Sequence, residues 1–265
     1  MFVAEIAPQV DRLVWTVNYA AADLHTADDA FRTAGIEEIE FGRIANYVPA
    51  FRGGPVAEAT LYRRYRYNPP LVVATIIEKL SHAECIELAP EGYLATDRFA
   101  SVLDAISDAL VVAAEETWSG NETTVDALSG LVRRVLDTAP GSPLLDAYRN
   151  APEPDPAMAR LHQRLAIQRL IRNEAHAAAW QSHGLRSEDM VILTGLWNGD
   201  ITGATAWTGP ATVVADGRLT EAGQTLRHEI ETATNRNNEP AFGALTDADR
   251  ATYLAAVSSL PGTPV

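Results

Sequence analysis

Helical periodicity, broken twice by a short strand-turn-strand run, constrains this chain more than any other feature. Asn68-Pro69-Pro70 opens one helical run, because proline suits the first turn of a helix. LVVATIIEKLSHAE continues that run with apolar residues at helical spacing. CIEL then reads as a short strand, APEG as a turn and YLA as a second strand. Thr96 begins the next helix, with Phe99, Val102, Leu103, Ile106 and Leu110 as its apolar stripe. The order recurs after Ser187. EDMVILTGLW is helical, TVVADGRLT is strand, turn and strand with Asp216-Gly217 at the turn, and 221–234 is helical again.

Helix, short hairpin, helix is the order of a winged-helix module. Thr96, Val102, Ile106 and Ala109 match Thr220, Leu226, Ile230 and Ala233 at a constant offset of about 124 positions. Gly92 and Leu94 match Gly217 and Leu219 one position out of step. The expected fold is mainly α, with two winged-helix-like halves joined by helices and small two-stranded β wings. Upstream, residues 9–33 read as a helix stopped by Gly35. Breaker-rich stretches at 119–124, 139–143 and 151–156 place the boundary near 150, giving halves of 1–150 and 151–265.

The net charge of −14 bears on partners. DNA binding depends on Lys and Arg neutralising phosphates, so a chain this acidic disfavours DNA unless a local patch overrides the global field. Glu5 and Asp11 stand where a signal peptide needs a basic start and an unbroken apolar run. No stretch approaches the ~18 apolar residues of a membrane span. A single cysteine, Cys85, excludes an intrachain disulfide and suits a reducing cytoplasm. GxSxG, P-loop, GxGxxG and HExxH motifs are all lacking, so no cofactor is expected.

The chemistry-bearing residues gather in 156–184. In one continuous helix there, His162, Arg169, His176 and His183, spaced by seven, nearly superpose, drifting ~20° per heptad. Arg172 and Trp180 fall within a turn of that line, while Ile167, Leu170, Ile171 and Ala178 form the opposite, core-facing side. A metal shared by these histidines is excluded by spacing, because seven residues of helix rise ~10.5 Å. Three readings stand: a solvated basic face, a small polar or anionic ligand held by Arg172 and His176, or an interaction surface without a pocket. A ligand site would draw on Arg169, Arg172, His176 and Trp180, since Arg offers a rigid fork to anions and His donates or shuttles a proton. Glu174 lies on the apolar side and needs a partner from another element, expected in 62–68 with Tyr62, Tyr65 and Asn68. A catalytic alternative uses His176 as acid or base, Arg172 as anion clamp and Glu174 as the orienting group. LYRRYRYNPP (61–70) is the one dense basic-aromatic run; it reads as an edge strand or surface loop, with a nucleic-acid or anion contact as the alternative. Glu78 and His82 read as a surface pair beside a buried Cys85, with a metal site as the alternative.

AFRTAG (30–35), RGGPVAEATLYRRYRYNPPLV (52–72), RLIRNEAHAAAWQSHGL (169–185) and DGRLTEAGQTLRHEIETATNR (216–236) together resemble an actinobacterial family of MarR-like helix-turn-helix proteins. That family's central helix has an Arg-Gly-Asp-Gly-His-like pattern, which here becomes Arg172-Asn173-Glu174-Ala175-His176, keeping the Arg, the acid and the His. The resemblance implies a wing and long helix from Asp216 onward and pairing as a homodimer. Where a basic recognition helix is expected, WNGDITGATAWTGPA (197–211) has three glycines, a proline and no Lys or Arg. Such a segment neither holds a regular helix nor favours phosphate.

Overall fold

The computed structural model describes residues 2–263 apart from Thr202. The chain opens with α1 (Phe2–Asp23), α2 (Asp28–Ala34), α3 (Phe41–Ala45), α4 (Val48–Arg52), α5 (Glu58–Arg64) and α6 (Pro70–His82). The hairpin β1 (Ile86–Ala89) and β2 (Gly92–Ala95) leads into α7 (Asp97–Trp118), α8 (Glu122–Thr138), α9 (Pro143–Arg149) and α10 (Ala157–Ser182). Then come α11 (Ser187–Trp197), β3 (Val214–Ala215), β4 (Arg218–Leu219), α12 (Glu221–Asn238) and α13 (Asp247–Ser259). The protein is mainly helical, and its described residues form two separate antiparallel two-stranded sheets.

Both helix-hairpin-helix stretches are present, and their joints are built alike. Thr96 caps α7 by accepting from the Phe99 N–H, and its hydroxyl donates back to the carbonyls of Glu84 and Cys85 just before the first hairpin. Thr220 caps α12 by accepting from the Gly223 N–H, and its hydroxyl donates back to the carbonyls of Thr212 and Val213 before the second. A threonine that caps a helix and fastens the base of its hairpin serves both stretches.

The hairpins differ in extent. In the first, Ile86 pairs with Ala95 and Ala89 with Gly92, and Val56 adds a bridge to Tyr93. Gly92 sits at φ +137, and a Cβ there would fall 2.4 Å from the Val56 carbonyl oxygen, so this close approach requires glycine. The second hairpin pairs only Val214 with Leu219 and Ala215 with Arg218. Asp216 and Gly217 turn it with φ of 50° and 72°, both left-handed as a tight two-residue hairpin demands. Between α11 and β3 the described residues hold a single 3-10 turn, Ala204–Ala206, in keeping with the glycine-rich composition there.

Three local expectations change. The helix read over 9–33 starts earlier and breaks at 24–27, where His25 takes φ +55; Gly35, at φ +72, stops α2 instead. The basic-aromatic run is not an edge strand, and only its second half, 65–69, is irregular. It forms α5 and the turn after it, burying Thr60 and Leu61 and setting the Tyr65 ring 5.0 Å from Tyr47. Ala178 is exposed, because one turn beyond Glu174 helix α10 runs past the cover of α5 into an open groove beside Tyr62 and Gln181.

Among the described residues, buried side chains form two clusters. The larger joins α1–α9 to α10 as far as Ile171 and to α13, so it draws on residues either side of position 150. The smaller joins the end of α10 to α11, Val213 and Ile230. Helix α10 belongs to both, and neighbours cover it on nearly every side for most of its length.

Candidate ligand-binding site

The basic stripe of α10 is not a solvated face, because α1 and α12 lie over it. His162 is buried against α1 with Nε2 3.1 Å from Asn18 Oδ1, and burial pushes its pKa down to about 4. Arg169 donates from Nε to Asp11 at 2.5 Å, and its guanidinium lies 5.0 Å from the Trp15 ring centroid. Arg172 donates to Asn235 at 2.7 Å and pairs with Glu231, both on α12. His183, at the C-terminal end of α10, is exposed.

Between these helices lies a cavity of about 280 Å³. Helix α1 supplies a largely apolar wall of Val3, Ile6, Ala7 and Val10. The facing walls are polar: Arg169, Arg172, Asn173 and His176 from α10, Arg227, Glu231 and Asn238 from α12, and Arg64 and Tyr67 from the end of α5 and its turn. Four guanidiniums thus face two carboxylates, Asp11 and Glu231, inside a protein of net charge −14. Burial alone would raise the Glu231 carboxyl, but Arg172 and Arg227 outweigh it and hold the group below the usual range. Arg64 meets no carboxylate among the described residues; its terminal nitrogen donates to Asn46.

Proton placement at His176 follows from its neighbours. Burial, and next the nearby Arg227, push its pKa down to about 4, so the ring is neutral at pH 7. Trp180 can only donate, and its Nε1–H reaches the Tyr67 hydroxyl at 3.2 Å. Burial raises the Tyr67 pKa and keeps that hydroxyl protonated, so it donates onward to His176 Nδ1 at 2.7 Å. This assignment of the network leaves the ring proton on Nε2, which has no partner.

His176 is not alone in that. Among the described residues, six buried side-chain atoms find no hydrogen-bond partner in the protein: Arg64 Nε, Asn173 Oδ1, His176 Nε2, Arg227 Nε, Asn238 Oδ1 and Glu239 Oε2. All but the last belong to residues lining this one cavity. Folded proteins satisfy nearly all such groups, because each one left unmade costs ~1–3 kcal/mol.

The remaining expected residues lie around the cavity rather than in it. Glu174 points away, held between Arg63 at 2.5 Å and Arg66, and so ties α10 to α5. Trp180 is buried and reaches the cavity only through Tyr67. Tyr62 lines a shallow groove with Glu174 and Trp180. Tyr65 is buried and donates to the Arg43 carbonyl at 2.7 Å. Asn68 lies in the turn before α6, with its N–H on the Tyr65 carbonyl. Sequence reasoning put Arg169 and His176 on one line with Arg172 within a turn of it, and saw Arg64 and Tyr67 only as part of the basic-aromatic run; Asn173 and the α12 wall it did not single out. The available signal was the polar end of α12, TATNRNN, where Thr234, Asn235 and Asn238 are buried on the side of Ile230.

The other candidate groups lie outside this cavity or only partly in it. Glu78 and His82 are exposed, Cys85 is fully buried beyond the end of α6, and the described residues contain no metal-competent group of His, Cys, Asp and Glu. Within the basic run Arg66 is largely covered and Arg63 stays exposed, both pairing with Glu174, while Arg64 donates to Asn46. No helix among the described residues is long and apolar enough to cross a membrane.

No curated protein and no solved structure matches the chain. Residues 25–262, nearly its whole length, match a helix-turn-helix family, and the chain belongs to that family.

Proposed function

We propose that this helix-turn-helix protein is a ligand-responsive regulator of the MarR-like kind, built from two winged-helix halves (1–150 and 151–265) and working as a cytoplasmic homodimer. A small polar or anionic molecule occupies the cavity between α1, α10 and α12, bound by Arg169, Arg172 and His176. One observation carries the reading: of the six unpartnered buried side-chain atoms among the described residues, five belong to residues around one cavity. The resemblance of the sequence to MarR-like proteins supports the pairing and the overall plan.

The route from cavity to helix-turn-helix runs through Tyr67. It touches His176 on one side and stands three residues before α6, the helix that leads into the first hairpin. Glu174 with Arg63 and Arg66 makes a second tie between α10 and α5. DNA binding is weak in this reading. The second stretch has a loop where a recognition helix would lie, and α6 exposes Leu71, Thr75, Glu78 and His82, with Lys79 paired to Glu38.

Thermal unfolding of the purified protein against a panel of small polar metabolites tests the ligand. At least one compound is expected to raise the Tm, and His176→Ala is expected to abolish the shift. A panel without effect on the wild type, with His176→Ala melting like the wild type, overturns the ligand reading. Fluorescence anisotropy with a duplex panel at physiological salt tests the weak DNA binding, and nanomolar binding contradicts it. Light scattering reads the pairing, and a mass of one chain contradicts the homodimer.

A further inference from the structure

The unpartnered groups around the cavity are of two kinds, and together they narrow the chemistry of what fits there. Arg64 Nε, Arg227 Nε and His176 Nε2 are donors, given the proton placement set by Tyr67. Asn173 Oδ1 and Asn238 Oδ1 are acceptors. A bare carboxylate offers only acceptors and would leave both amide oxygens unmet. A neutral polyol offers donors and acceptors but leaves the charge of the site uncompensated: Arg64 has no carboxylate, and Arg172 and Arg227 share Glu231. A cation has nothing to recommend it, since guanidiniums outnumber carboxylates on the walls and no metal-competent group exists among the described residues. The volume of about 280 Å³ favours a compact molecule over a nucleotide-sized one.

We propose that the ligand is a small hydroxycarboxylate: an organic anion whose carboxylate meets Arg64, Arg227 and His176, and whose hydroxyl donates to Asn173 and Asn238. This rests on the ligand-site reading above and specifies its chemical class. Arg64 anchors the charge, because it is the cavity cation with no carboxylate. The two asparagines set the specificity, because a site built to hydrogen-bond a hydroxyl penalises the analogue lacking it.

Isothermal titration of the full chain with three four-carbon probes decides the matter: malate, succinate, which keeps the charges and lacks the hydroxyl, and erythritol, which keeps hydroxyls and lacks the charge. Malate is expected to bind at least ~10-fold more tightly than succinate, with erythritol undetectable. In the Asn173→Leu, Asn238→Leu double variant the preference for malate over succinate is expected to vanish. Inorganic phosphate serves as a further arm, and tighter binding of phosphate than of malate rejects the carboxylate. Succinate equal to malate, or erythritol equal to either, overturns the proposed class while leaving a ligand site standing. Silence from all probes while a compound of the metabolite panel binds also overturns the class alone. Silence from probes and panel together removes the site itself.

Discussion

The two helix-hairpin-helix stretches share one joint and diverge around it, most sharply three residues past the capping threonine. In the first, that position is Phe99, fully buried and edge-on to Phe51 at 5.3 Å. In the second it is Gly223, where a Cβ would fall 2.3 Å from the Val213 carbonyl oxygen. The same backbone logic therefore admits an aromatic anchor in one place and only a hydrogen in the other. The first stretch is a buttress of the larger core, with Val102 and Ile106 fully buried behind Phe99. In the second, Ile230 is fully buried but Leu226 and Ala233 only partly, and the next turns of α12 turn polar toward the cavity. One copy of the pattern is given over to packing, the other to a wall of hydrogen-bonding groups.

The largest effect expected from this contrast is at Phe99. Phe99→Ala should destabilise the protein by ~3–5 kcal/mol in denaturant unfolding, as large-to-small core changes do. A loss below ~1 kcal/mol would show that the first stretch is no buttress. Acid comes next. His162, set in the larger core, titrates near 4 when folded against 6.5 in the unfolded chain, so the proton binds the unfolded state more readily. Its contribution is complete above pH 6.5 and is lost as pH falls toward 4, by on the order of 3 kcal/mol across the window. His162→Gln should flatten that part of the pH profile; an unchanged slope from 6.5 to 4 would contradict its burial. Gly223→Ala should cost ~1–3 kcal/mol by overpacking against Val213, despite alanine's better helix propensity. Stability at or above the wild type would mean that the second joint is slack. Smallest are the caps: Thr96→Ala and Thr220→Ala should each cost ~1 kcal/mol. Equal losses support a shared joint, and a neutral Thr220→Ala would confine it to the first stretch.

Much of this architecture was legible in the sequence because it rests on local signals. The Asn68-Pro69-Pro70 start, the APEG and Asp216-Gly217 turns and the apolar stripe behind Thr96 each dictate their own element. The glycine-rich 197–211 segment likewise foretold that its described residues beyond Trp197 hold only a short 3-10 turn. What pairs with what was not legible. Heptad spacing put Arg169 and His176 on one line of α10 with Arg172 beside it, but only the fold brings Asp11 of α1 to Arg169 and Glu231 of α12 to Arg172. Glu174 announced itself as a charge in need of a partner and was expected near 62–68; Arg63 and Arg66 hold it there. The unpartnered atoms of Asn173 and Asn238 carry no sequence signal, since an asparagine looks the same whether satisfied or not.

The central claim is that the cavity keeps polar groups that weaken the empty fold because a ligand needs them. Denaturant unfolding of the Asn173→Leu, Asn238→Leu variant measures this most directly, since leucine fills nearly the shape of asparagine without the unmet oxygen. The account predicts that the ligand-free variant is more stable than the wild type by ~1–3 kcal/mol. A variant less stable than the wild type would show that the amides contribute more to the folded protein than their unmet oxygens cost, and the claim would fail.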